Sequence, residues 1–433
     1  MLPRSPDSLY AQVNDQSVSW RQFLAEASVV AGELPDGRYV INLCEDRYHF
    51  SLGFAASLIR GFVTLLPPDR SRRHLQKLEL EYPGALILTD RPAEPAGSCY
   101  RMARPLHRSP FNHTVLNIDP KQTAVIGFTS GSTGVPQAHV KTWDALCESA
   151  RLIDTFLGDT AGMAVLATVP AQHMYGLELS ILLPLCRGAV LQSAKPFYPA
   201  DIAETLTATR SPRILVTTPV HLRALIRSEM SLPPVNFLVS ATSALDAGLA
   251  AICEQRFDAP LLEIYGCTEA GSLAGRRPVQ TESWYLYDPL RLKPMPGHAY
   301  AVEAPYLPAP VLLNDVLNII DERHFTLAGR SSDLINIAGK RTSLSALNHA
   351  LLAIPGVEDG VFFLPDDSEM GNVRLAVFVV APILSSDKLL EALRNELDPA
   401  FVPRAVHKLD RLPRNETGKL SRQALMEAAA RQA

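Results

Sequence analysis

Short apolar runs alternate with helical patterns in the N-terminal two thirds of the chain. Tyr39–Leu43 and Phe62–Leu66 have the composition of buried strands, and Phe50–Ile59 between them has a helical spacing of apolar residues. This order predicts parallel strands joined by a crossover helix. The same alternation continues downstream, with predicted strands at Ala85–Thr89, Ala164–Val169, Ala189–Leu191, Arg213–Thr217 and Asn236–Ser240 and predicted helices at Pro219–Ser228 and Ala247–Phe257.

The pattern changes towards the C-terminus. Residues 271–312 are rich in Pro, Arg, Tyr and Gly, which predicts irregular or antiparallel structure closing a large domain. Beyond Gly329 the predicted elements form a smaller set. We therefore predict an α/β protein with a large multi-layer N-terminal domain of mainly parallel sheets, residues 1–329, and a small α+β C-terminal domain, residues 330–433. The predicted elements of the small domain are helices near Ser343–Ala353, Asp387–Leu397 and Ser421–Arg431 and strands at Val361–Leu364 and Leu375–Val380.

Length and composition narrow the class of protein. A chain of 433 residues is too long for one ordinary core, and 47% hydrophobic with 20% charged residues is typical of a soluble globular protein. A net charge of −4 argues against a general nucleic-acid binder. No apolar run reaches the ~18 residues of a membrane span, and the N-terminus lacks an apolar signal core. The six cysteines are scattered without a Cys-x-x-Cys pair, which predicts reduced thiols and a cytoplasmic protein.

The first candidate for chemistry is the stretch Thr129–Gln137, Thr-Ser-Gly-Ser-Thr-Gly-Val-Pro-Gln. It follows a predicted strand, Thr123–Phe128, and precedes a helical pattern that starts at Trp143, so it is predicted to be a loop between a strand and a helix. Glycines expose backbone N–H groups and hydroxyls add donors, which suits a polyphosphate. The chain lacks the Gly-Lys-Ser/Thr of a Walker loop, and this stretch lacks the third glycine of a dinucleotide fingerprint. A Ser/Gly-rich surface loop remains the alternative at this point.

Three further motifs follow in order along the chain. They are Glu263–Glu269 (Glu-Ile-Tyr-Gly-Cys-Thr-Glu), Asp315 ahead of Gly329-Arg330, and Pro413–Arg422 (Pro-Arg-Asn-Glu-Thr-Gly-Lys-Leu-Ser-Arg). In this order and spacing, the four motifs resemble the adenylate-forming superfamily: acyl- and aryl-CoA synthetases, peptide-synthetase adenylation domains and luciferases. The resemblance covers residues 38–425. Within the superfamily, the chain resembles the compact members that ligate aryl acids to CoA or an acyl carrier protein.

The resemblance implies a reaction in two steps that needs ATP and Mg²⁺. A carboxylate attacks the α-phosphate of ATP to give an acyl-adenylate and pyrophosphate, and the thiol of CoA or of a phosphopantetheinyl carrier protein then displaces AMP. It also implies that the small domain is mobile and rotates between the two steps about a hinge at residues 330–333. The acceptor is expected to be supplied in trans, because no carrier domain is recognisable in the chain.

The resemblance also implies roles for individual residues. Catalysis is expected from Lys419, which would bridge the carboxylate and the α-phosphate, from Thr268, which would donate to the α-phosphate, and from Glu269, which would bind Mg²⁺. Phosphate binding is expected from Thr129, Ser130, Gly131, Ser132, Thr133 and Gly134, adenine binding from Tyr265, Gly266, Ala241, Thr242 and Ser243, and ribose binding from Asp315 and Arg330. The acyl pocket is expected to include His173, Tyr175, Gly176 and Gly271.

The chain departs from the usual family pattern at several positions. Gln137 replaces the lysine that ends the phosphate loop, and Lys141 is the candidate to compensate. Ser332 stands at the hinge in place of Asp or Lys. After Gly339-Lys340-Arg341 the usual acidic helix start is missing, and Ser343 is the candidate to cap that helix instead.

The expected function is therefore ATP-dependent ligation of a small carboxylic acid to a thiol, with an aromatic acid such as a hydroxybenzoate as the preferred substrate. A medium-chain fatty acid is the nearest rival. A rival of another class is a catalytically impaired acyl- or nucleotide-binding homologue, suggested by Gln137 and Ser332. A third possibility is transfer of the acyl group to an amine or a hydroxyl.

Overall fold

The computed structural model describes residues 5–67, 70–91, 99–102, 117–130, 136–243, 245–330, 334–337, 340–364, 375–415, 418, 420 and 424–427. The chain divides into two compact units, one of residues 1–290 with 304–309 and the other of residues 291–303 with 310–433. Residues 331–333 of the predicted hinge lie outside the described residues, so the hinge and the domain boundary at 329/330 stay predictions. Among the described residues, no helix has an apolar stretch long enough to cross a bilayer.

The first unit contains most of the strands and helices. Its strands are β1 (Leu9–Val13), β2 (Gln16–Ser19), β3 (Tyr39–Asn42), β4 (Val63–Leu66), β5 (Leu86–Thr89), β6 (Cys99–Arg101), β7 (Thr123–Ser130), β8 (Pro136–Thr142), β9 (Ala164–Ala167), β10 (Val190–Gln192), β11 (Arg213–Thr217), β12 (Phe237–Ser240), β13 (Leu261–Cys267), β14 (Gly271–Arg276) and β15 (Trp284–Leu286). Its helices are α1 (Trp20–Glu33), α2 (Arg47–Ile59), α3 (Arg72–Glu81), α4 (Trp143–Leu157), α5 (Met174–Leu177), α6 (Pro199–Ala208), α7 (Pro219–Arg227) and α8 (Ala247–Phe257), with a π-helical stretch at Glu178–Arg187.

Two sheets organise this unit, and both are mainly parallel. One has the order β6-β5-β3-β4-β7-β8, and all its neighbours are parallel except β7 and β8. In the other, the strands of this unit run β15-β14-β13-β12-β11-β9-β10-β1-β2, and the five pairings from β13 to β1 are parallel. The strand–helix–strand order predicted for residues 39–66 is confirmed as β3, α2 and β4.

The largest core cluster takes side chains from both sheets. Val40 and Val125 come from the first sheet, and Val165 and Val216 from the second, all of them fully buried. Residues of α1, α2 and α4 complete the same cluster. Burying one apolar face of each sheet against shared helices is the layered arrangement expected for this class, and it confirms the predicted α/β fold.

Polar residues immediately before four helices act as caps. The side chains of Asp46, Ser71, Thr218 and Asp246 each accept a hydrogen bond from a backbone N–H in the first turn of α2, α3, α7 and α8. Such caps satisfy donors that have no partner within the helix. They explain why the predicted helix starts agree with the observed ones to within a few residues.

The described part of the second unit contains helices and short strands, and all the strand pairs are antiparallel except one. Its elements are β16 (Arg291–Met295), β17 (Ala299–Glu303), β18 (Val311–Leu312), β19 (Asp315–Ile319), β20 (His324–Arg330), β21 (Leu334–Ile337), β22 (Lys340–Ser343), α9 (Leu344–Ala353), β23 (Asp359–Phe363), β24 (Ala376–Val380), α10 (Ser386–Glu396) and β25 (Ala405–Lys408). Its principal core packs α9 and α10 on β23 and β24. Ser343 caps α9 by accepting from Ala346 N at 3.1 Å, as predicted for this helix start.

Candidate active site

The predicted phosphate loop belongs to a β-hairpin. Strands β7 and β8 pair antiparallel, with Thr129 opposite Gln137 and Ser130 opposite Pro136. The expectation of a loop leading directly into a helix was therefore wrong, because a whole strand intervenes before α4. The missed signal is the alternation of polar and apolar residues over 137–141, which is typical of a strand. Residues Gly131, Ser132, Thr133 and Gly134 lie outside the described residues, as do the side chains of Thr129 and Ser130.

Lys141, the candidate to compensate for Gln137, has another contact. Its side chain is buried, and its ammonium donates to the backbone carbonyl of Glu269. Burial lowers the pKa of Lys141, although the acidic groups of Cys267, Glu178 and Glu269 act in the opposite direction. Lys141 therefore ties β8 to the segment that follows β13. Because its ammonium makes this contact, Lys141 does not evidently take the place of the lysine that Gln137 replaces.

The hairpin also meets the Tyr-Gly-Cys-Thr-Glu motif through two side chains. A Cβ atom built on Gly127 would lie 2.9 Å from Cγ2 of Thr268, so the threonine packs directly on β7. Glu269 Oε1 lies 3.8 Å from Nε2 of His139 on β8, and both side chains are partly exposed. Two motifs separated by more than a hundred residues thus come together, as the resemblance implies for Thr268 and Glu269.

His139 is a site residue that the sequence interpretation missed. It is on the same face of β8 as Gln137 and Lys141, because alternate residues of a strand point the same way. Burial lowers the pKa of His139, while Glu269 acts to raise it. A neutral imidazole beside this carboxylate leaves the Glu269 charge free to bind a cation. The strand alternation could have identified His139 if β8 had been recognised.

The residues predicted for the adenine side flank β12 and β13. Thr242 has φ = +81°, which is unusual for a β-branched residue and is found mainly where a functional segment constrains the backbone. Tyr265 is mostly buried, with its ring centroid 5.7 Å from that of Trp284. A Cβ atom on Gly266 would lie 2.4 Å from the carbonyl oxygen of Gly271, so packing of β14 requires glycine at this position. Ala241 and Ser243 flank the strained Thr242.

Asp315 and Arg330, the predicted ribose residues, face each other in the second unit. They form the first and last positions of the β19–β20 hairpin and are direct partners in its register. This pairing places the backbones of two residues that are fifteen positions apart in sequence next to each other. Asp315 was predicted from spacing alone, because Leu313-Asn314 precede it in place of the usual residues.

Lys419 itself lies outside the described residues, but its neighbours Gly418 and Leu420 are described. Arg414 donates two hydrogen bonds of 2.7 Å to the carboxylate of Asp359, and its third nitrogen donates to the carbonyl of Gly418 at 2.7 Å. Gly418 has φ = +77°, which glycine adopts readily. Arg414 pairs as an isolated bridge with Leu420, so the backbone on either side of Lys419 is fixed to β23.

The residues of the predicted acyl pocket differ from one another in their contacts and burial. Tyr175 is buried, and its hydroxyl donates to the carbonyls of Val239 and Thr217 at 2.8 and 3.1 Å. A Cβ atom on Gly176 would lie 1.9 Å from the carbonyl oxygen of Pro170, so α5 packs on the backbone there. His173 precedes α5 and is partly buried. These contacts give Tyr175 and Gly176 packing roles, whether or not they also contact an acyl group.

Gly271 has a charged neighbour that the sequence interpretation did not single out. A Cβ atom on this residue would lie 2.8 Å from Glu178 Oε1 and 3.1 Å from Ser149 Oγ. Glu178 is 2% exposed and accepts hydrogen bonds from the Ser149 hydroxyl, at 2.5 Å, and from the N–H and hydroxyl of Ser272, at 3.1 and 2.7 Å. Burial raises the pKa of Glu178. The hydrogen bonds from Ser149 and Ser272 and the charge of nearby Lys141 act to lower it.

Among the described residues, no group of three or more His, Cys, Asp or Glu side chains could enclose a metal ion. The residues present fit Mg²⁺ nonetheless, because this ion keeps several waters and is bound by one or two carboxylates together with substrate phosphates. Glu269 supplies one such carboxylate at the end of β13.

His221, near the predicted adenine side, gives a prediction about pH and stability. Its ring nitrogen lies 3.0 Å from the Thr168 hydroxyl and 3.1 Å from that of Thr218, and burial lowers its pKa to about 4. The unfolded chain binds a proton near the ordinary value of about 6.5, while the folded protein does not. Stability present above pH 6.5 is therefore lost as the pH falls towards 4, by about 3 kcal/mol.

Urea unfolding at several pH values between 4 and 7.5 measures this effect. The His221→Gln variant should show a flatter pH dependence than the parent, whereas His349→Gln, on the exposed face of α9, should keep the parent slope. Equal slopes for the parent and His221→Gln would contradict the burial argument.

Comparisons with known proteins agree with this geometry. The family model of the AMP-binding enzymes matches residues 38–302. The chain is 29% identical to 4-coumarate–CoA ligase of Halorhodospira halophila over 306 residues, which are 67% of this chain and 73% of that protein. It is 24% identical to 3-hydroxybenzoate/4-hydroxybenzoate–CoA ligase of Thauera aromatica over 364 residues, covering 72% of this chain and 67% of that protein.

A solved structure is similar to this chain in fold over nearly its whole length. O-succinylbenzoate coenzyme A synthetase of Bacillus subtilis, in complex with ATP and a magnesium ion, has a TM-score of 0.82 and 19% identity. The match covers 98% of this chain and 97% of that one. The family model spans more than half of the chain, and its range includes the hairpin, Thr268 and Glu269. The chain therefore belongs to the AMP-binding enzymes, the adenylate-forming superfamily that its four motifs resemble.

Proposed function

We propose that the protein activates a small aromatic carboxylic acid, such as a hydroxybenzoate, as its acyl-adenylate with release of pyrophosphate. The acyl group then passes to a phosphopantetheine thiol, with CoA favoured over an acyl carrier protein because the relatives named above are CoA ligases. The observation that carries the proposal is the contact of Thr268 and Glu269 with the β7–β8 hairpin. This contact groups hydroxyl and carboxylate side chains at the base of a Gly/Ser-rich loop.

The protein is an AMP-forming acid–thiol ligase, since it belongs to the AMP-binding enzymes and its relatives are named CoA ligases. The chemistry explains why such a site needs few reacting side chains. A free carboxylate is a poor acylating agent, because oxide is a poor leaving group. When the carboxylate is joined to the α-phosphate, AMP becomes a good leaving group for the acyl group. The protein must mainly hold the carboxylate and ATP together and stabilise the negative charge that moves to pyrophosphate.

The residues of the first unit would bind the phosphates and the metal ion. The loop of residues 129–134 would hold the β- and γ-phosphates with N–H and hydroxyl donors, and Thr268 would donate to the α-phosphate. Glu269 would hold Mg²⁺, which neutralises phosphate charge when it is bound. His139, kept neutral by burial, would form no ion pair that competes with that ion for Glu269.

The predicted residues of the second unit would bind the ribose and act on the reacting groups. Asp315 has two carboxylate oxygens and could accept from both ribose hydroxyls, with Arg330 beside it in the hairpin. Lys419 would bridge the carboxylate and the α-phosphate. The Arg414–Asp359 pair supports this role, because it holds the backbone before and after Lys419 in one place. We further propose that the small C-terminal domain rotates about residues 330–333 between adenylation and thioester formation.

The surroundings of Gly271 favour an acid that carries a polar group over a medium-chain fatty acid. Glu178 presents a buried carboxylate next to this glycine, together with the hydroxyls of Ser149 and Ser272. Three donors occupy three of the roughly four acceptor positions of a carboxylate, so one remains for a substrate hydroxyl or amine. An aliphatic chain at this position would leave the remaining acceptor position of Glu178 without a donor, which is unfavourable.

The Glu178→Gln variant tests whether Glu178 favours substrates that carry a polar group. It should lower kcat/KM for 4-hydroxybenzoate about 10-fold or more, the range expected for loss of one hydrogen bond to a charged group, while benzoate changes by much less. The matched control is Glu148→Gln, because Glu148 pairs with Arg151 on a partly exposed part of α4. A similar loss with both acids would assign Glu178 a structural role only.

Pyrophosphate release tests the proposed function as a whole. The protein is mixed with ATP, Mg²⁺ and a panel of hydroxybenzoic, cinnamic, medium-chain and dicarboxylic acids, and release is followed with a coupled phosphate assay. We expect release with aromatic acids and stoichiometric AMP once CoA is added. ATP binding without release for any acid would favour the impaired binding protein, and AMP release with amines or alcohols but not thiols would favour another acceptor.

A further inference from the structure

Two thiols lie in contact at the edge of the main core. Cys147 is on α4, Cys186 is near the end of the π-helical stretch, and their Sγ atoms are 3.3 Å apart. Cys147 and Cys186 are partly exposed residues, whereas Cys44 and Cys253 are buried. Burial contributes to the raised pKa of Cys186, so Cys147 is the candidate for the first reaction with a solute.

The two elements that carry these thiols are held together by other contacts. Arg187 Nε donates to Asp154 Oδ2 at 2.8 Å, and the Ser149 hydroxyl donates to Glu178 Oε1 at 2.5 Å. Each of these pairs joins α4 to the same π-helical stretch. The sulfurs of a disulfide are about 2.05 Å apart, so a shift of little more than an ångström would bring the two Sγ atoms to bonding distance. Side-chain rotation with a small backbone adjustment can supply a shift of this size.

We propose that Cys147 and Cys186 form a redox-active pair that a small disulfide, such as glutathione disulfide, converts into an intramolecular disulfide bond. In the first step, the Cys147 thiolate attacks one sulfur of the oxidant, which forms a mixed disulfide and expels one glutathione thiolate. In the second step, the Cys186 thiolate attacks the Cys147 sulfur and expels the other glutathione thiolate. The protein loses two electrons and two protons, and the oxidant becomes two molecules of glutathione.

The surroundings of Cys186 agree with this order of steps. The hydrogen bond with Cys147 and burial both raise the pKa of the Cys186 thiol well above its ordinary value. Cys186 therefore stays protonated while Cys147 reacts first. Once Cys147 is part of a mixed disulfide, it no longer competes for negative charge at this position, and Cys186 ionises more readily.

The bond would join α4 to the π-helical stretch, which carry Ser149 and Glu178 respectively. Oxidation would thereby fix one wall of the proposed acyl pocket. Any effect on substrate use rests on the proposed function, but formation of the bond does not, so the two can be tested separately.

The test uses the full chain with Cys99→Ser, because Cys99 is exposed and would react with the oxidant by itself. The folded protein is incubated with glutathione disulfide at neutral pH, quenched with acid, alkylated and examined by intact mass and by tryptic mapping. We expect a loss of two hydrogen masses without a glutathione adduct. The tryptic peptides 142–151 and 152–187 should appear as one linked species that dithiothreitol separates.

Single Cys147→Ser and Cys186→Ser changes in the same background provide the controls. Neither should give the linked species, and Cys186→Ser should stop at a glutathione adduct on Cys147. Fully reduced peptides, or a stable adduct on Cys147 when both cysteines are present, would overturn the proposal. Adenylation of the reduced controls is measured in parallel, so that failure of the proposed function is seen separately from failure of disulfide formation.

Discussion

Replacement of Lys419 by alanine is expected to slow acyl-adenylate formation by about 10²–10³, the usual effect of losing one preorganised charged donor. Thioester formation from supplied acyl-adenylate should largely survive, because the positive charge is needed while the α-phosphate is attacked and not while the thiol displaces AMP. Acid-dependent pyrophosphate exchange measures the first step, and thiol-dependent AMP release from synthetic acyl-adenylate measures the second.

The matched control for this variant is Lys388→Ala on the exposed face of α10 in the same unit. It should change neither half-reaction. Equal losses in both half-reactions for Lys419→Ala would contradict the assigned role and would instead indicate damage to the turn that Arg414 and Asp359 hold in place.

Gly176→Ala is expected to destabilise the protein by about 3 kcal/mol or more, the upper range for overpacking a rigid core. The added methyl carbon would lie 1.9 Å from the carbonyl oxygen of Pro170 and 2.8 Å from its carbonyl carbon. Both are backbone atoms, so no side-chain rotation relieves the clash, and α5 must move away from the segment before it.

Gly32→Ala in α1 is the control, because nothing lies within 4 Å of the new methyl carbon. Glycine is a weaker helix former than alanine, so this change should be neutral or stabilise by up to about 1 kcal/mol. Chemical unfolding of both variants gives the comparison. A Gly176→Ala protein as stable as the parent would show that α5 does not pack on Pro170 as described.

The sequence predicted elements that depend on local patterns. The strand Arg213–Thr217 and the helix Ala247–Phe257 were predicted with their observed bounds, because an apolar run or an Asp cap marks them. Composition predicted irregular or antiparallel structure for residues 271–312, and the strands there pair antiparallel. These features are determined by neighbouring residues, which is why one chain without relatives is sufficient to find them.

Features that depend on distant contacts were not predictable. The β8 strand was missed because a proline-containing polar stretch after glycines resembles a loop, and His139 was missed with it. No sequence motif singles out Glu178, and only the approach of Ser272, far along the chain, shows its buried hydrogen-bonded carboxylate. Lys141 is the candidate to compensate for Gln137 by its charge, and the fold directs its ammonium to the backbone carbonyl of Glu269.

The transfer of oxygen from the acid to AMP tests the central claim most directly. The protein is given ATP, Mg²⁺, CoA and an aromatic acid whose carboxylate carries a heavy oxygen isotope, and the products are examined by mass spectrometry. Formation of an acyl-adenylate predicts that one labelled oxygen appears in the phosphate of AMP, while pyrophosphate stays unlabelled. Label in inorganic phosphate together with ADP, or unlabelled AMP, would contradict attack of the carboxylate on the α-phosphate.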